Sequence, residues 1–238
     1  MHQPLFQRGR NRLLDVLDDA TLAALAPALS PVKMKLRDVV YRSGEPIVFV
    51  YFPVIGVISM VATVEGSQPI EVATVGNEGL VGGVPLFLGL DSTPGDAFAQ
   101  VPGEALRMTA RDYVRAMHEF PAFARLVSRF VQVLFVQVAQ CSACNRAHPV
   151  DERCARWLLM THDRVDKDEF PLAPEFLAQM LGVPRGTVNT VAALLQRAAF
   201  IRYDKGWVRV LDRTGLESAT CNCYGVIRGE YDALFGPA

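Results

Sequence analysis

Cationic side chains concentrate near the C-terminal end of the chain. Residues 172–213 include six Arg or Lys residues and three Asp or Glu residues, so this segment has a net charge of +3, whereas the whole chain of 238 residues has a net charge of −1. Arginine and lysine contact nucleic-acid phosphates, and arginine also donates bidentate hydrogen bonds to the edge of guanine. The segment therefore predicts a DNA-binding surface, with an ordinary solvated basic face as the simpler alternative.

The apolar residues of the same segment predict two short helices that would position these cations. They repeat at helical spacing over residues 174–181 and again after Pro184, which suits the first position of a helix. Between the helices, Gly182 allows a turn with unusual backbone angles, and Val188 and Val191 would pack against the first helix. This spacing is typical of a helix-turn-helix, whose second helix enters the DNA major groove.

Two short runs of β-branched and aromatic residues follow these helices. Residues 200–203 and 207–211 flank an Asp-Lys-Gly turn, which predicts a hairpin. A hairpin after a helix-turn-helix is the wing of a winged helix. On this wing, Arg202, Lys205 and Arg209 would contact phosphates.

The rest of the chain changes its apolar period twice. Residues 1–12 predict a loose polar arm, and residues 11–29 predict a helical segment. Residues 33–108 are dense in Val, Ile, Phe and Gly with turn signals at regular spacing, which predicts a small antiparallel barrel or sandwich. Pro121 then opens a helical pattern that continues to about Ala147 and would be about 40 Å long. These elements give an α+β fold.

The long helical pattern is apolar on more than one side, because Val131, Phe135 and Val136 widen its main stripe. A helix that is apolar nearly all round must bury two faces. One face can lie on the barrel, and the other most simply meets a second copy of the chain. A central helix buried wholly within one chain is the alternative. We assign the dimer contact to the main stripe, Phe123, Val127, Phe130, Leu134, Val138 and Cys141.

The order of barrel, long helix and winged helix resembles the Crp–Fnr superfamily of bacterial transcription regulators over nearly the whole chain. The resemblance implies a cytoplasmic homodimer that binds double-stranded DNA and RNA polymerase. It divides the chain into a cyclic-nucleotide-binding-like β-barrel at 1–120, a dimerisation helix at 121–148 and a winged helix-turn-helix at 149–238. The residues that carry the resemblance include Gly44-Glu45-Pro46, Tyr51-Phe52-Pro53, Gly56, residues 76–82 and residues 177–185. Residues typical of one branch of the superfamily include Cys144-Asn145, His148-Pro149-Val150 and Glu230-Tyr231-Asp232.

The resemblance also implies which residues of the second helix read DNA. Arg185 matches a position that reads guanine through O6 and N7, with a phosphate contact as the alternative. The best-known members carry Glu and a second Arg where this chain has Gly186 and Thr190. The DNA half-site that those members recognise is therefore not expected to be the half-site of this chain. The predicted DNA contacts of this helix are Arg185, Gly186, Thr187, Asn189 and Thr190.

An effector pocket in the barrel is expected to differ from that of relatives that bind cyclic AMP. Residues 43–106 contain seven Asp or Glu residues and no Lys, Arg or His, whereas a buried phosphate needs a paired cation. We therefore expect a scaffold, or a sensor of an uncharged and unidentified effector. Control by cyclic AMP or cyclic di-GMP, with Arg125 or Arg129 of the long helix as the cation, is the alternative. The residues that would form a pocket are Gly76, Glu78, Gly79, Leu80, Gly82 and Gly83, for which tight turns are the simpler interpretation.

The five cysteines are an odd number without a disulfide framework, which is typical of a reducing compartment. The resemblance includes iron–sulfur regulators with N-terminal cysteines, but this chain has none before Cys141. Small buried residues are the favoured interpretation. A four-thiolate zinc site that joins Cys141-x-x-Cys144 to Cys221-x-Cys223 stays open, as does a redox switch through Cys141 or Cys144 between two copies.

The histidines show no metal spacing and we expect no cofactor, although His118 or His148 as a haem ligand in a gas sensor is an alternative. No G-x-S-x-G motif, phosphate-binding loop or His–carboxylate pair indicates an enzyme. The sequence shows no signal peptide. The apolar run at residues 47–62 is interrupted by Pro53 and Gly56 and predicts strands, so we expect no membrane span.

Overall fold

A computed structural model describes residues 9–66, 69–165 and 167–235, so that residues 1–8 of the predicted arm lie outside it. The predicted N-terminal helical segment folds as helix α1 (Arg12–Asp15), helix α2 (Asp19–Leu25) and a 3₁₀ turn (Ala26–Ala28). The helices begin where Asn11 and Asp18 accept hydrogen bonds from the amides of Leu14 and Thr21. The side-chain amide of Asn11 also donates to the carbonyl groups of Pro53 and Gly79, which anchors this segment to the sheet.

The predicted strands form one five-stranded antiparallel sheet in the order β1-β5-β3-β4, with β2 also paired to β5. The long central strands β3 and β5 change register several times between Pro53 and Ile58, and such bulges bend strands. The sheet curls over a buried core that includes Phe52, Ile58 and Leu106. The strands are β1 (Ser30–Met34), β2 (Val39–Tyr41), β3 (Phe49–Ala62), β4 (Ile70–Val75) and β5 (Asp96–Thr109).

Four helices follow in chain order: α3 (Gly83–Phe87) before β5, then α4 (Ala110–Glu119), the long α5 (Pro121–Ala147) and α6 (Val150–His162). By length and mean hydropathy alone α5 could cross a membrane. Core helices of water-soluble proteins meet the same criterion, and one side of α5 packs on β4 and on the C-terminal helix. Its bounds agree with the predicted long helix.

The C-terminal part contains the predicted winged helix and one strand that the sequence did not reveal. Three residues between α6 and the helix-turn-helix form a strand that pairs with the hairpin, which gives a three-stranded sheet. The last helix returns to pack against α5. The elements are β6 (Glu169–Pro171), α7 (Pro174–Leu181), α8 (Arg185–Arg197), β7 (Ile201–Asp204), β8 (Trp207–Val210), α9 (Arg213–Ser218) and α10 (Cys223–Phe235).

Candidate nucleic-acid interface

The turn between α7 and α8 has the predicted backbone geometry. Gly182 ends α7 in the left-handed conformation with φ of +63°, and its amide donates to the carbonyl of Gln179. Pro184 precedes the first residue of α8 and so lies one position before the predicted one. Val188 and Val191 are buried, which confirms their packing role, whereas Leu194, farther along α8, is 44% exposed.

The start of α8 presents polar groups to solvent. Arg185, Gly186, Asn189 and Thr190 are exposed, and Thr187 is half-buried. The hydroxyl of Thr190 donates to the carbonyl of Gly186 within the helix. Arg185 forms an ion pair with Glu175 of α7, and both side chains are more than half exposed. Such an exposed pair contributes little to stability, so the guanidinium can exchange this carboxylate for another acceptor.

The wing brings its cations together on one exposed face. Arg202 and Arg209 are direct partners across the β7–β8 ladder, and Glu169 of β6 pairs with Arg209 at 2.7 Å. Lys205 occupies the turn with φ of +47°, followed by Gly206 with φ of +79°, which is the geometry of a tight two-residue hairpin. The three predicted wing cations are exposed. Two arginines opposite each other repel, so this face attracts anions.

The wing is tied to α8 and to the segment that precedes α7. The backbone amide of Tyr203 in β7 donates to the side-chain oxygen of Gln196 in α8 at 2.9 Å. The hydroxyl of Tyr203 donates to the carbonyl of Leu172 at 2.9 Å. Arg185 and the wing cations therefore belong to one structural unit.

Side chains from later elements fill the space beside the glycines of the predicted effector pocket, whereas Glu78 of the same set lines a cavity. A Cβ atom added at Gly79 would lie 2.4 Å from the ring of Phe130, and one at Gly83 would lie 2.8 Å from the hydroxyl of Tyr113. Gly76 is covered in the same way by the side chain of Arg164. Leu80 is fully buried, and Gly82 closes a turn with φ of +88°. The interpretation of this stretch as tight turns and packing surface fits the geometry.

Glu78, another member of the predicted pocket, is half of a buried ion pair. Its carboxylate lies 2.7 Å from Nε of Arg164, and the two side chains are only 6% and 5% exposed. Burial alone would lower the pKa of Arg164, but the charge and the hydrogen bond of Glu78, together with Tyr231 and Asp163, raise that pKa above its ordinary value. The sequence did not reveal this partner, because it lies 86 residues away on the segment after α6.

Further hydrogen bonds extend this ion pair into a network between four parts of the chain. Arg164 donates to the side-chain oxygen of Gln137 at 3.1 Å and to the carbonyl of Met160 at 2.7 Å. Gln137 donates to the carbonyl of Thr74 in β4 and accepts from the hydroxyl of Tyr231 in α10. Because its members are buried and share their donors and acceptors, the network joins the sheet, α5, α6 and α10.

The helix-turn-helix also packs directly on the sheet. The rings of Phe98 and Phe176 meet edge to face at 6.0 Å. The indole N–H of Trp157 in α6 donates to the carboxylate of Glu71 at 2.7 Å, and the hydroxyl of Ser59 donates to the same group. Burial raises the pKa of Glu71 to about 7, although these hydrogen bonds act to lower it. Glu71 thus titrates near neutral pH at a contact between the two units.

The stripe assigned to the dimer contact faces inward, which corrects the prediction. Phe123, Val127, Phe130, Leu134 and Cys141 are at most 7% exposed because they pack against their own chain, and Val138 is half-buried. The opposite face of α5 is open, and there Phe135 is 67% exposed. The sequence pattern shows both apolar faces but not which of them the sheet covers.

The cysteines also differ from expectation. Cys141 is buried, its sulfur accepts a hydrogen bond from Arg156, and burial raises its pKa, so that it is poorly placed for a disulfide between two copies. Cys144 does not pair with Cys141 and instead meets residues of the C-terminal part. Among the described residues, one group has the composition of a metal site, namely Cys144, His148, Cys221 and Cys223. His148 belongs to this group in space, which the spacing of the histidines along the sequence did not reveal.

Comparison with known families assigns the region that contains this interface. Residues 152–219 match the Crp-like helix-turn-helix domain. This match covers most of α6 and all of α7, α8 and α9, and so includes both helices of the helix-turn-helix, the wing and their cations. Comparison with curated proteins gives no match.

The fold of the chain is shared with solved regulators of low sequence identity. A CRP-family transcriptional regulator from Thermus thermophilus is 22% identical with a TM-score of 0.66, covering 79% of this chain and 95% of its own. FixK2 from Bradyrhizobium japonicum is 15% identical with a TM-score of 0.67, covering 81% and 98%. CLP, the c-di-GMP responsive global regulator of Xanthomonas campestris, is 16% identical with a TM-score of 0.63, covering 81% and 99%. The chain therefore has a Crp-like helix-turn-helix domain within the fold of the Crp/Fnr transcription regulators.

Proposed function

We propose that this Crp/Fnr-type transcription regulator binds double-stranded DNA in a sequence-specific manner, with α8 in the major groove and the wing on the flanking phosphates. The observation that carries the proposal is the exposed start of α8, where Arg185, Asn189 and Thr190 offer hydrogen-bonding groups on the end of the helix that a helix-turn-helix uses for reading. The wing adds Arg202 and Arg209, with Lys205 between them, as phosphate contacts. The protein acts in the cytoplasm, where its DNA lies, and RNA polymerase is its proposed partner there.

Selection of binding duplexes from a random pool, followed by affinity measurements, tests this proposal. Arg185→Ala is expected to weaken binding to the selected site by about 1–3 kcal/mol, roughly 5- to 150-fold, and to relax one base position. Arg197→Ala is the matched control, since it removes the same charge from an exposed position at the other end of α8. An equal loss on every duplex would make Arg185 a phosphate contact, and failure to enrich any sequence would contradict specific binding.

We also propose that the protein acts as a homodimer through the open face of α5. Exposed positions recur there at alternating steps of three and four residues, the spacing that aligns two helices along a seam. Phe135 lies at the centre of this seam, and small residues near it allow close approach. The seam consists of Arg125, Ser128, Gln132, Phe135, Ala139, Ser142 and Arg146. A dimer gives two copies of α8, which a palindromic operator requires.

We propose that cyclic AMP does not control this regulator, because the expected phosphate site offers no free cation among the described residues and its space is filled by Tyr113, Phe130 and Arg164. Thermal unfolding with cyclic AMP, cyclic GMP and cyclic di-GMP tests this. A ligand at 100 times its Kd should add about 2.7 kcal/mol of stability. A clear shift with cyclic AMP would contradict the proposal.

A second candidate, control by an effector, is favoured by a cavity of about 290 Å³ between the sheet, α6 and α10. Its lining includes Glu78 of the predicted pocket together with Asn77, Arg164, Arg213 and Tyr224. Its size approaches that of small-molecule sites. CLP shares the fold and is c-di-GMP responsive, so cyclic di-GMP is the first ligand to test here. A shift with cyclic di-GMP that Tyr224→Phe or Arg213→Gln abolishes would support this candidate.

A further inference from the structure

Three thiols and one imidazole from distant parts of the chain lie together at the C-terminal end of α5. Cys144 and His148 come from that helix end, and Cys221 and Cys223 lie at the start of α10. The sulfur of Cys144 is 3.4 Å from that of Cys221, and Nδ1 of His148 is 3.5 Å from the sulfur of Cys223. All four ligand atoms lie within 4.8 Å of one another, and the three cysteines are buried.

These separations match the ligand set of one tetrahedral metal ion. With Zn–S bonds of about 2.3 Å and a Zn–N bond of about 2.0–2.1 Å, tetrahedral geometry places neighbouring ligand atoms about 3.5–3.8 Å apart. The four ligands of an iron–sulfur cluster are divided among at least two irons, so they cannot all lie this close to one another. We propose that Cys144, His148, Cys221 and Cys223 bind one Zn²⁺ ion in a closed site of three thiolates and one imidazole.

Local structure explains why these four residues converge. Residues four apart on a helix share a face, and Cys144 and His148 have this spacing, with the amide of His148 donating to the carbonyl of Cys144. Cys221 and Cys223 flank one residue in the turn that opens α10. Both ligand pairs therefore come from elements whose backbone is already fixed, which suits a structural zinc site.

The surroundings complete the site. The side-chain amide of Gln140 donates to the sulfur of Cys223 at 3.0 Å, and contacts of this kind orient metal ligands. Binding converts three thiols to thiolates with release of three protons, so that the ion and its ligands carry a net charge of −1. Arg156 is buried beside Cys144 and supplies the opposing charge. The site thus satisfies both geometry and charge.

The ion would fasten α10 to the end of α5. Because α10 carries Tyr231, which donates to Gln137 in the buried network, the metal also supports the junction between the sheet and the winged helix. With four protein ligands the site leaves no position open for water, so its role is structural.

Metal analysis of the full-length protein tests the proposal directly. Protein purified without chelator from zinc-supplemented growth should contain about one zinc per chain by plasma mass spectrometry. Cys144→Ser and Cys221→Ser should lose it, whereas Cys141→Ser, one turn away and outside the cluster, should keep it. Replacement of zinc by Co²⁺ in the wild-type protein should give intense visible absorption of a tetrahedral thiolate site, which does not depend on whether the variants fold.

Three results would overturn the assignment. The first is wild-type protein that holds no metal and gives no cobalt spectrum under reducing conditions. The second is an intact mass two hydrogens lower with a Cys144–Cys221 disulfide, whose sulfurs would have to close from 3.4 Å to about 2.05 Å. The third is equal zinc loss in Cys141→Ser and Cys144→Ser, which would place the site on the C-x-x-C pair.

Discussion

Removal of the Glu78 charge is expected to destabilise the protein far more than removal of a matched surface charge. Glu78→Gln keeps the shape of the side chain and an acceptor for the amide of Gly76, but leaves the buried guanidinium of Arg164 without its anion. Breaking one side of a buried ion pair costs about 3–5 kcal/mol. For a chain of this length each kcal/mol lowers the Tm by about 2–4 °C, which predicts a decrease of roughly 6–20 °C.

Glu169→Gln is the matched control. Its pair with Arg209 has the same distance of 2.7 Å, but those side chains are 41% and 51% exposed. The two ion pairs therefore have the same distance but differ in burial. An exposed pair contributes about 0–1 kcal/mol, so Glu169→Gln should lose little stability. Urea unfolding followed by circular dichroism and by tryptophan fluorescence gives both values and shows whether the two probes report one transition.

The double variant Glu78→Leu with Arg164→Met separates charge from packing. Replacing both partners by apolar residues of similar size removes the unpaired charge, so much of the lost stability should return. The interpretation of the pair as a buried charge would be refuted if Glu78→Gln cost no more than Glu169→Gln. It would also be refuted if the double variant were less stable than Glu78→Gln alone.

Three further predictions concern the junction, the dimer and the turn. The pKa of Glu71 is raised to about 7 from an ordinary value near 4.5, so the folded state holds an extra proton and stability falls as pH rises between these values. The free energy of unfolding of Glu71→Gln, measured by urea titration, should therefore rise relative to that of wild type by at most about 3 kcal/mol by pH 8. If the two proteins lost stability with pH in parallel, the raised pKa of Glu71 would be excluded. Phe135→Asp should give monomers in light scattering. The control Leu88→Asp, at a similarly exposed position after α3, should remain dimeric. A dimer mass for Phe135→Asp would exclude the proposed seam. Gly182→Val should lower the free energy of unfolding by about 1–2 kcal/mol, because valine is strained in the left-handed backbone conformation and not because it clashes. Gly182→Asn should lower it by less, and equal losses for the two variants would contradict this.

The winged helix could be predicted from the sequence because its signals are local. Helical spacing, the glycine at the turn and the Asp-Lys-Gly hairpin each act over a few residues, and they located α7, α8 and both hairpin strands within about two residues. Strand β6 was missed because three residues are too few to show an alternation of apolar and polar side chains. Its pairing is also distant in sequence, since Phe170 pairs with Val208, which follows both helices along the chain. The start of α9 is set locally too, because the side chain of Asp212 accepts a hydrogen bond from the amide of Gly215.

The contacts that join the two units could not be predicted in this way. The pattern of α5 shows two apolar faces, but the shape of the sheet decides that Phe130 points inward and Phe135 outward. Glu78 looked like one acid in an uncompensated acidic stretch because Arg164 comes from another unit. Cys144 suggested a pair with Cys141, whereas its sulfur lies 3.4 Å from that of Cys221, which comes 77 positions later.

These junction contacts limit how an effector could act on the winged helix. A ligand shifts a conformational equilibrium only by its difference in affinity for the two states. To reorient α7 and α8 relative to the sheet, the protein would have to break the Phe98–Phe176 contact and the hydrogen bond from Trp157 to Glu71. The buried ion pair of Glu78 and Arg164 costs more free energy to break than either of these two contacts. An effector that acts through the sheet would therefore leave this ion pair intact and move the helix-turn-helix around it. Glu71, which titrates near neutral pH, is then the contact at which such movement would start.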